Sequence, residues 1–313
     1  MTTPEQIRQQ LPEHTDGIEV TCHEPMARHT SFRAGGTADV FVRAMTREAL
    51  VKSLAFFTEN GIPFVIVGNG SNLLVSDAGY HGAVIVLSGT EFSKITVQGE
   101  RILAGAGAML SDVARAAREH ALDGMSALFG IPGTVGGALY MNAGAFGTEI
   151  KDVLRHARIL DLEGERIEER VLDNAACHFG YRTSIAKEKM LCFLEGSFTL
   201  TPGDAIQIED RMQMLLQTRK DKQPLEYPSA GSTFKRPPEG FAGQMIMEAG
   251  LSGTRIGDAE VSEKHCGFLI NKGKATATDI WRLMQLVTKK VEETHGVRLV
   301  PEVILLGEFE ACV

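Results

Sequence analysis

Three polar residues in this chain sit where chemistry could be done. Arg182 lies in Phe179-Gly180-Tyr181-Arg182-Thr183-Ser184, Ser232 in Ala230-Gly231-Ser232-Thr233-Phe234-Lys235, and Glu302 in Leu299-Val300-Pro301-Glu302-Val303-Ile304-Leu305-Leu306. A guanidinium is always charged and can grip a carboxylate through two parallel hydrogen bonds. By residue type alone, an arginine in such a turn is more often a surface ion-pair residue. Ser232 has no Gly-x-Ser-x-Gly elbow around it, which weakens a hydrolase reading; an isolated serine here would bond its own turn backbone. A carboxyl inside an apolar run is either on a solvated face or desolvated for a purpose. Pro301 beside it argues for an edge or a bulge.

Two glycine-rich loops could approach a ligand closely. Gly68-Asn69-Gly70-Ser71-Asn72 follows a buried apolar run, and its N–H groups can point at a phosphate. It is neither a Rossmann fingerprint, because Leu73 replaces the third glycine and a strand follows where a helix should begin, nor a P-loop, because Gly-Lys-Ser/Thr is missing. The bland reading is a hairpin turn. The second loop runs Gly130-Ile131-Pro132-Gly133-Thr134-Val135-Gly136-Gly137 and then Asn142-Ala143-Gly144-Ala145-Phe146-Gly147. Missing side chains there leave backbone able to lie flat on a ring or a pyrophosphate. The alternative is a chain crossover packed tightly on a helix.

The elements that must position these residues follow from periodicity. Residues 46–60 read as an amphipathic helix with Leu50, Leu54 and Phe57 on one face. Apolar runs at 62–67, 73–75 and 83–87 suit strands. A second helix is expected from an N-cap at Ser111 through Val113, Ala117 and Ala121 to Gly124. Residues 155–200 look mainly extended, and 204–219 helical, carrying Ile208, Met212, Leu215 and Leu216. The stretch 220–228, with two prolines, is the linker candidate. Thr278 is expected to cap a helix bearing Ile280, Met284, Val287 and Val291 and ending at Gly296, with a strand over 297–306 to close. Irregular alternation makes the class α+β or mixed α/β.

Composition narrows the function. At 313 residues two domains are the natural expectation. Glycine, 33 residues, is in excess of the usual share of about 7%. The net charge of −8 disfavours nucleic-acid binding. The first residues show no signal-peptide pattern and no apolar run is long enough to span a membrane, so a cytoplasmic protein is expected. Cys22, Cys177, Cys192, Cys266 and Cys312 form no CxxC pair, and the nine histidines show no metal spacing. A reducing compartment without zinc or a disulfide framework fits them.

The segments VGNGSNLLVSD, LFGIPGTVGGALYMNAGAFG, FGYRTS, AGSTFKRP and GDAEVSEKHCGFLIN occur in this order. Together they resemble the UDP-N-acetylenolpyruvoylglucosamine reductases, the MurB family of bacterial cell-wall enzymes, from about His29 to Gly307. The resemblance implies an FAD-binding fold of the PCMH (vanillyl-alcohol-oxidase) type over 1–204, its core about 33–200, and a smaller C-terminal α/β substrate domain over 205–313. It implies non-covalent FAD, NADPH as hydride donor, and reduction of an enolpyruvyl ether to a lactyl ether. Arg182, Ser232 and Glu302 match the family's catalytic arginine, proton donor and glutamate; desolvation would keep Glu302 protonated.

Cofactor contacts are expected from Gly68, Asn69, Gly70, Ser71, Asn72, Pro132, Gly133, Thr134, Gly136, Gly137, Asn142, Gly144 and Ala145, and substrate contacts from Tyr181, Lys222, Lys235 and Arg236. The resemblance also suggests a monomer without membrane insertion. Arg236 stands where the family often has asparagine, Cys266 where it has a small residue, and Thr183 where an acid is frequent. The short span from Arg182 to Pro202 places the chain with the family's short type, which lacks a loop carrying a tyrosine over the substrate. The alternative enzyme is another FAD oxidoreductase of the same fold acting on a sugar lactone or alcohol. A flavin- or nucleotide-binding regulatory module is the non-enzymatic alternative.

Overall fold

The computed structural model describes residues 3–11, 17–164 and 166–310; Cys312 lies outside the described residues. The chain forms two compact units. One comprises Met1–Thr21, Val40–Asn69 and Ala83–Arg219, the other Cys22–Asp39, Gly70–Gly82 and Lys220–Val313. This division differs from the expected boundary after residue 204. The helix Ala205–Lys222 is the reason, because Ile208 and Met212 are buried in the core that also holds Leu122, Val153 and Leu200.

The first unit contains two apolar cores. One packs Leu50, Leu54 and Phe57 of the helix Arg47–Glu59 with Val40, Val42, Ala83 and Ile85. That helix starts as its sequence dictates, with the Thr46 hydroxyl accepting from the Ala49 N–H. The strand Phe64–Val67 pairs parallel with Tyr80–Leu87, in a sheet ordered Ile18–Pro25, Thr37–Ala44, Tyr80–Leu87, Phe64–Val67. A five-stranded antiparallel sheet runs Glu168–Asp173, Leu154–Asp161, Leu191–Thr199, Arg101–Gly105, Ile95–Gln98. The stretch 155–200 is therefore only partly extended; residues 174–190 form turns and short 3-10 segments.

The helix expected to start at Ser111 runs instead over Leu110–Glu119, with Met109 at its N-cap. A long-range bond from the Leu110 N–H to the Gly133 carbonyl sets that start. It stops at His120, before left-handed Ala121. Ala205–Lys222 likewise outruns the expected end at 219, and Gln223-Pro224 stops it.

The second unit wraps a core around the helix Ala277–His295, whose Ile280, Leu283, Met284, Val287 and Val291 are buried. Its N-cap is Thr276, two residues before the expected Thr278, in a capping box with Asp279. The Thr278 hydroxyl instead donates to Asp77 Oδ2 at 2.7 Å. The helix ends at left-handed Gly296, as expected. Leu73–Val75 pairs parallel with Ile304–Leu306, and Ala259–Val261 lies between Arg255–Ile256 and Leu269–Asn271 in an antiparallel sheet. The closing strand is shorter than expected, because residues 297–303 do not form a ladder; Pro301 makes only an isolated bridge to Phe234.

Candidate active site

In the first unit, Arg182 occupies a tight turn. Gly180 and Thr183 exchange backbone hydrogen bonds of 3.2 and 3.3 Å, and Arg182 between them has φ of +55°. Its Nη2 donates to the Gly144 carbonyl at 3.1 Å, and its Nη1 lies 3.5 Å from Glu149 Oε1. The guanidinium sits over the Tyr181 ring, 4.9 Å from the centroid. Arg182 is 18% exposed, whereas Tyr181 is 47% exposed. Lys187 Nζ donates to the Arg182 carbonyl at 2.7 Å.

Behind this turn stands Asn142, the fully buried, left-handed C-cap of the helix Val135–Met141. Its Nδ2 donates to the Gly180 carbonyl at 2.9 Å and to Glu149 Oε2 at 3.1 Å, and its Oδ1 accepts from the Lys151 N–H at 3.0 Å. This side chain is committed inside the protein. Gly144 and Ala145 pair antiparallel with Glu149 and Thr148, carrying Glu149 back toward Asn142.

The glycine loops of this unit lie against each other. Asn69 Nδ2 donates to the Pro132 carbonyl at 2.8 Å, and a Cβ on Gly68 would fall 2.5 Å from Thr134 Oγ1. Thr134 caps the helix, accepting from the Gly137 N–H. The N–H groups of Val135 and Gly136 bond the Ala108 and Ala106 carbonyls, and a Cβ on Gly136 would lie 3.0 Å from that of Ala106. Gly136 is thus small for packing. A Cβ on Gly137 would meet only Thr134 Oγ1, at 3.6 Å. Among the described residues the N–H groups of Asn69, Gly133 and Thr134 donate to nothing. Open amides beside a side-chain-free position fit the pyrophosphate and flat ring of FAD. Nearby, Arg219 Nη1 donates to the Gly130 carbonyl at 2.5 Å, and burial draws the pKa of that guanidinium down.

In the second unit the serine and glutamate segments run side by side. The Glu302 N–H donates to the Thr233 carbonyl at 2.8 Å and the Lys235 N–H to the Val300 carbonyl at 2.8 Å. The Thr233 N–H donates to the Gly267 carbonyl at 2.9 Å, and the buried Thr233 Oγ1 accepts from the Leu269 N–H at 3.1 Å. Asn72 Nδ2 donates to the Glu302 carbonyl at 3.0 Å, and its own carbonyl accepts from the Ile304 N–H. Ser232 is exposed after left-handed Gly231, and Glu302 is half-buried. Gly70, with φ of +62°, can take no side chain, since a Cβ would overlap the His29 carbonyl.

Of the candidate substrate residues in this unit, Arg236 stacks over the 57%-exposed Phe241 ring at 4.0 Å. Lys235 is half-buried, and Lys222 ends its helix exposed. His265 accepts from the Gly267 N–H through Nδ1 at 3.1 Å; burial lowers its pKa, leaving the neutral ring with its proton on Nε2.

The structure thus brings Ser232, Asn72 and Glu302 together in one unit, and Arg182, Tyr181, Asn142 and Gly144 in the other. Sequence reasoning missed Glu149 and the Asn142 side-chain role. No local pattern ties either residue to the Gly180–Thr183 turn. Among the described residues no cluster of three or more His, Cys, Asp or Glu could hold a metal, and no helix is long and apolar enough to cross a membrane. Burial pushes the Cys177 thiol up to about 11 and Cys192 to about 12, so neither is a nucleophile at neutral pH.

Two family models match the chain: "FAD binding domain" over residues 38–169 and "UDP-N-acetylenolpyruvoylglucosamine reductase, C-terminal domain" over 223–306. The UDP-N-acetylenolpyruvoylglucosamine reductase of Caldanaerobacter subterraneus subsp. tengcongensis is 48% identical, over 91% of this chain and 93% of its own. That of Geobacillus kaustophilus is 45% identical over 98% of this chain and 100% of its own. The crystal structure of UDP-N-acetylenolpyruvylglucosamine reductase (MurB) from Thermus caldophilus superposes with a TM-score of 0.78 at 32% identity, over 93% of this chain and 99% of that one.

Proposed function

The chain belongs to the UDP-N-acetylenolpyruvoylglucosamine reductase family, and from that premise we propose how its residues divide the work. The reaction is the FAD-dependent reduction, with NADPH, of the enolpyruvyl ether of a UDP-sugar in peptidoglycan synthesis. FAD, held by the backbone of Asn69, Gly133, Thr134 and Gly137, would supply hydride transfer between NADPH and C3 of the enolpyruvyl group. Negative charge then develops over C2 and the carboxylate, and the protein must stabilise it and deliver a proton.

Arg182 is the stabiliser. Its guanidinium is nearly buried, oriented on two sides, and permanently charged, as a site for a carboxylate requires. This fixed cation is the observation that carries the assignment. Ser232 donates the proton to C2 from its Oγ, and Glu302, whose main chain is bonded to Thr233, assists at the same carbon. Asn69, Gly133, Thr134 and Gly137 hold FAD through backbone. Tyr181, Lys222, Lys235 and Arg236 contact the substrate, the three cations meeting its phosphates. We assign FAD to the part of the chain ending near residue 204 and substrate phosphates to the part beyond it, with the protein working as a cytoplasmic monomer without nucleic acid.

An anaerobic titration tests this reading. The yellow protein should bleach with NADPH and regain its colour stoichiometrically on adding UDP-N-acetylglucosamine enolpyruvate. A protein that bleaches but is not reoxidised by that compound would refute the substrate assignment.

A further inference from the structure

We propose that Glu149 and Asn142 are positioning residues for Arg182, setting where and at what angle its guanidinium meets the substrate carboxylate; this rests on the role of Arg182 given above. An arginine side chain has many rotamers, and that freedom must be removed before the reaction for its charge to be used in one place. The backbone of Arg182 is left-handed, φ +55°, a conformation a non-glycine residue keeps only where its surroundings hold it.

One amide does both jobs. Asn142 Nδ2 grips the Gly180 carbonyl, fixing the turn that carries Arg182, and also grips Glu149 Oε2, fixing the carboxylate whose Oε1 faces Arg182 Nη1. Asn142 is itself left-handed, φ +43°, and fully buried. Two strained residues from separate segments are therefore joined through a single side chain. The Gly144 carbonyl holds the other amino group of Arg182, and Tyr181 lies under its face.

Glu149 does not simply neutralise the arginine. Its Oε2 is also 2.8 Å from Lys151 Nζ, which is raised in pKa by that contact. Shared between two cations, the carboxylate orients Arg182 without serving it alone as a counter-ion.

The test uses Glu149→Gln in the FAD-loaded enzyme, because this near-isosteric change removes the charge without opening the core. Reoxidation of the reduced protein by the enolpyruvyl substrate should slow about 10- to 100-fold. NADPH bleaching should stay within about twofold, as should the substrate dissociation constant read from the oxidised flavin spectrum. In an Arg182→Ala background the same change should cost less than about twofold, because there is no guanidinium left to aim. Asn142→Asp, which removes both donors, should reproduce the effect if it folds; Glu149→Gln decides if it does not. Equal slowing of both half-reactions, or a full penalty in the Arg182→Ala background, would overturn the proposal. If Arg182→Ala slows reoxidation and Glu149→Gln does not, positioning is wrong and the role of Arg182 stands. If Arg182→Ala leaves reoxidation intact, the role of Arg182 itself is wrong.

Discussion

The first unit fixes its candidate cation by contacts made to the side chain itself, whereas the second fixes its candidate proton donor through the main chain that carries it. Arg182 is oriented by the Glu149 carboxylate, a Gly144 carbonyl, the Tyr181 ring and, through Gly180, the Asn142 amide. Ser232 stands on a segment tied down by Thr233 and Lys235 backbone bonds to 267 and 300–302. The difference follows the chemistry. A long, flexible, charged side chain needs several groups to aim it, while a serine hydroxyl, one bond from Cβ, has only three staggered positions once its backbone is placed. The cation's geometry should therefore be sensitive to side-chain substitutions around it. The donor's should tolerate them unless they break the main-chain frame.

The largest effect is expected from the cation. Arg182→Ala should lower reoxidation of the reduced protein by the enolpyruvyl substrate on the order of 100- to 1000-fold, measured by stopped-flow absorbance. A change confined to the Michaelis constant would make it a binding residue only. Next comes Gly137→Val. Its Cβ has room in the protein, so a loss of bound FAD of about tenfold in affinity with little change in apoprotein melting would mark a cofactor approach. Gly136→Val, which strikes Ala106, should instead lower the melting temperature; FAD titration and calorimetry of both variants separate the two.

Thr233→Val tests the main-chain frame. It keeps shape but removes the acceptor of the buried Leu269 N–H, and should cost about 1–3 kcal/mol in denaturant unfolding. Unchanged stability would mean the frame does not depend on that bond. The smallest effect concerns His265. Burial holds its folded pKa below the ordinary histidine value of 6.5, so the unfolded chain takes up the proton first as pH falls. Its contribution is present above pH 6.5 and lost below it. The melting advantage of wild type over His265→Gln should shrink between pH 7.5 and 5.5, on the order of 2 °C; a gap that widens on acidification would contradict the sign.

Much of this architecture was legible locally. Residues 46–60 carried an apolar stripe, and the helix formed there; Gly296 marked a helix end correctly. The misplaced boundaries were set by partners distant in sequence. Leu110 starts its helix because Gly133 accepts its N–H, and the Thr278 hydroxyl is taken by Asp77, leaving Thr276 to cap. The site divides the same way. Arg182, Ser232 and Glu302 were reached through ordered motifs, since their residue types alone left ion-pair, turn and solvated-face readings open. Glu149 was invisible because nothing in its own segment announces the turn that Asn142 brings to it.

Ser232→Ala is the most direct test of the division between cation and proton donor. Stopped-flow absorbance of the anaerobic holoenzyme reads each half-reaction separately. If Ser232 supplies the proton, NADPH should bleach the variant at nearly the wild-type rate, while reoxidation by the enolpyruvyl substrate slows about 100-fold or more. Ser232→Cys should recover part of that loss, because a thiol at the same place can donate. Equal slowing of both half-reactions in Ser232→Ala would contradict the account and make the serine a structural member of its segment.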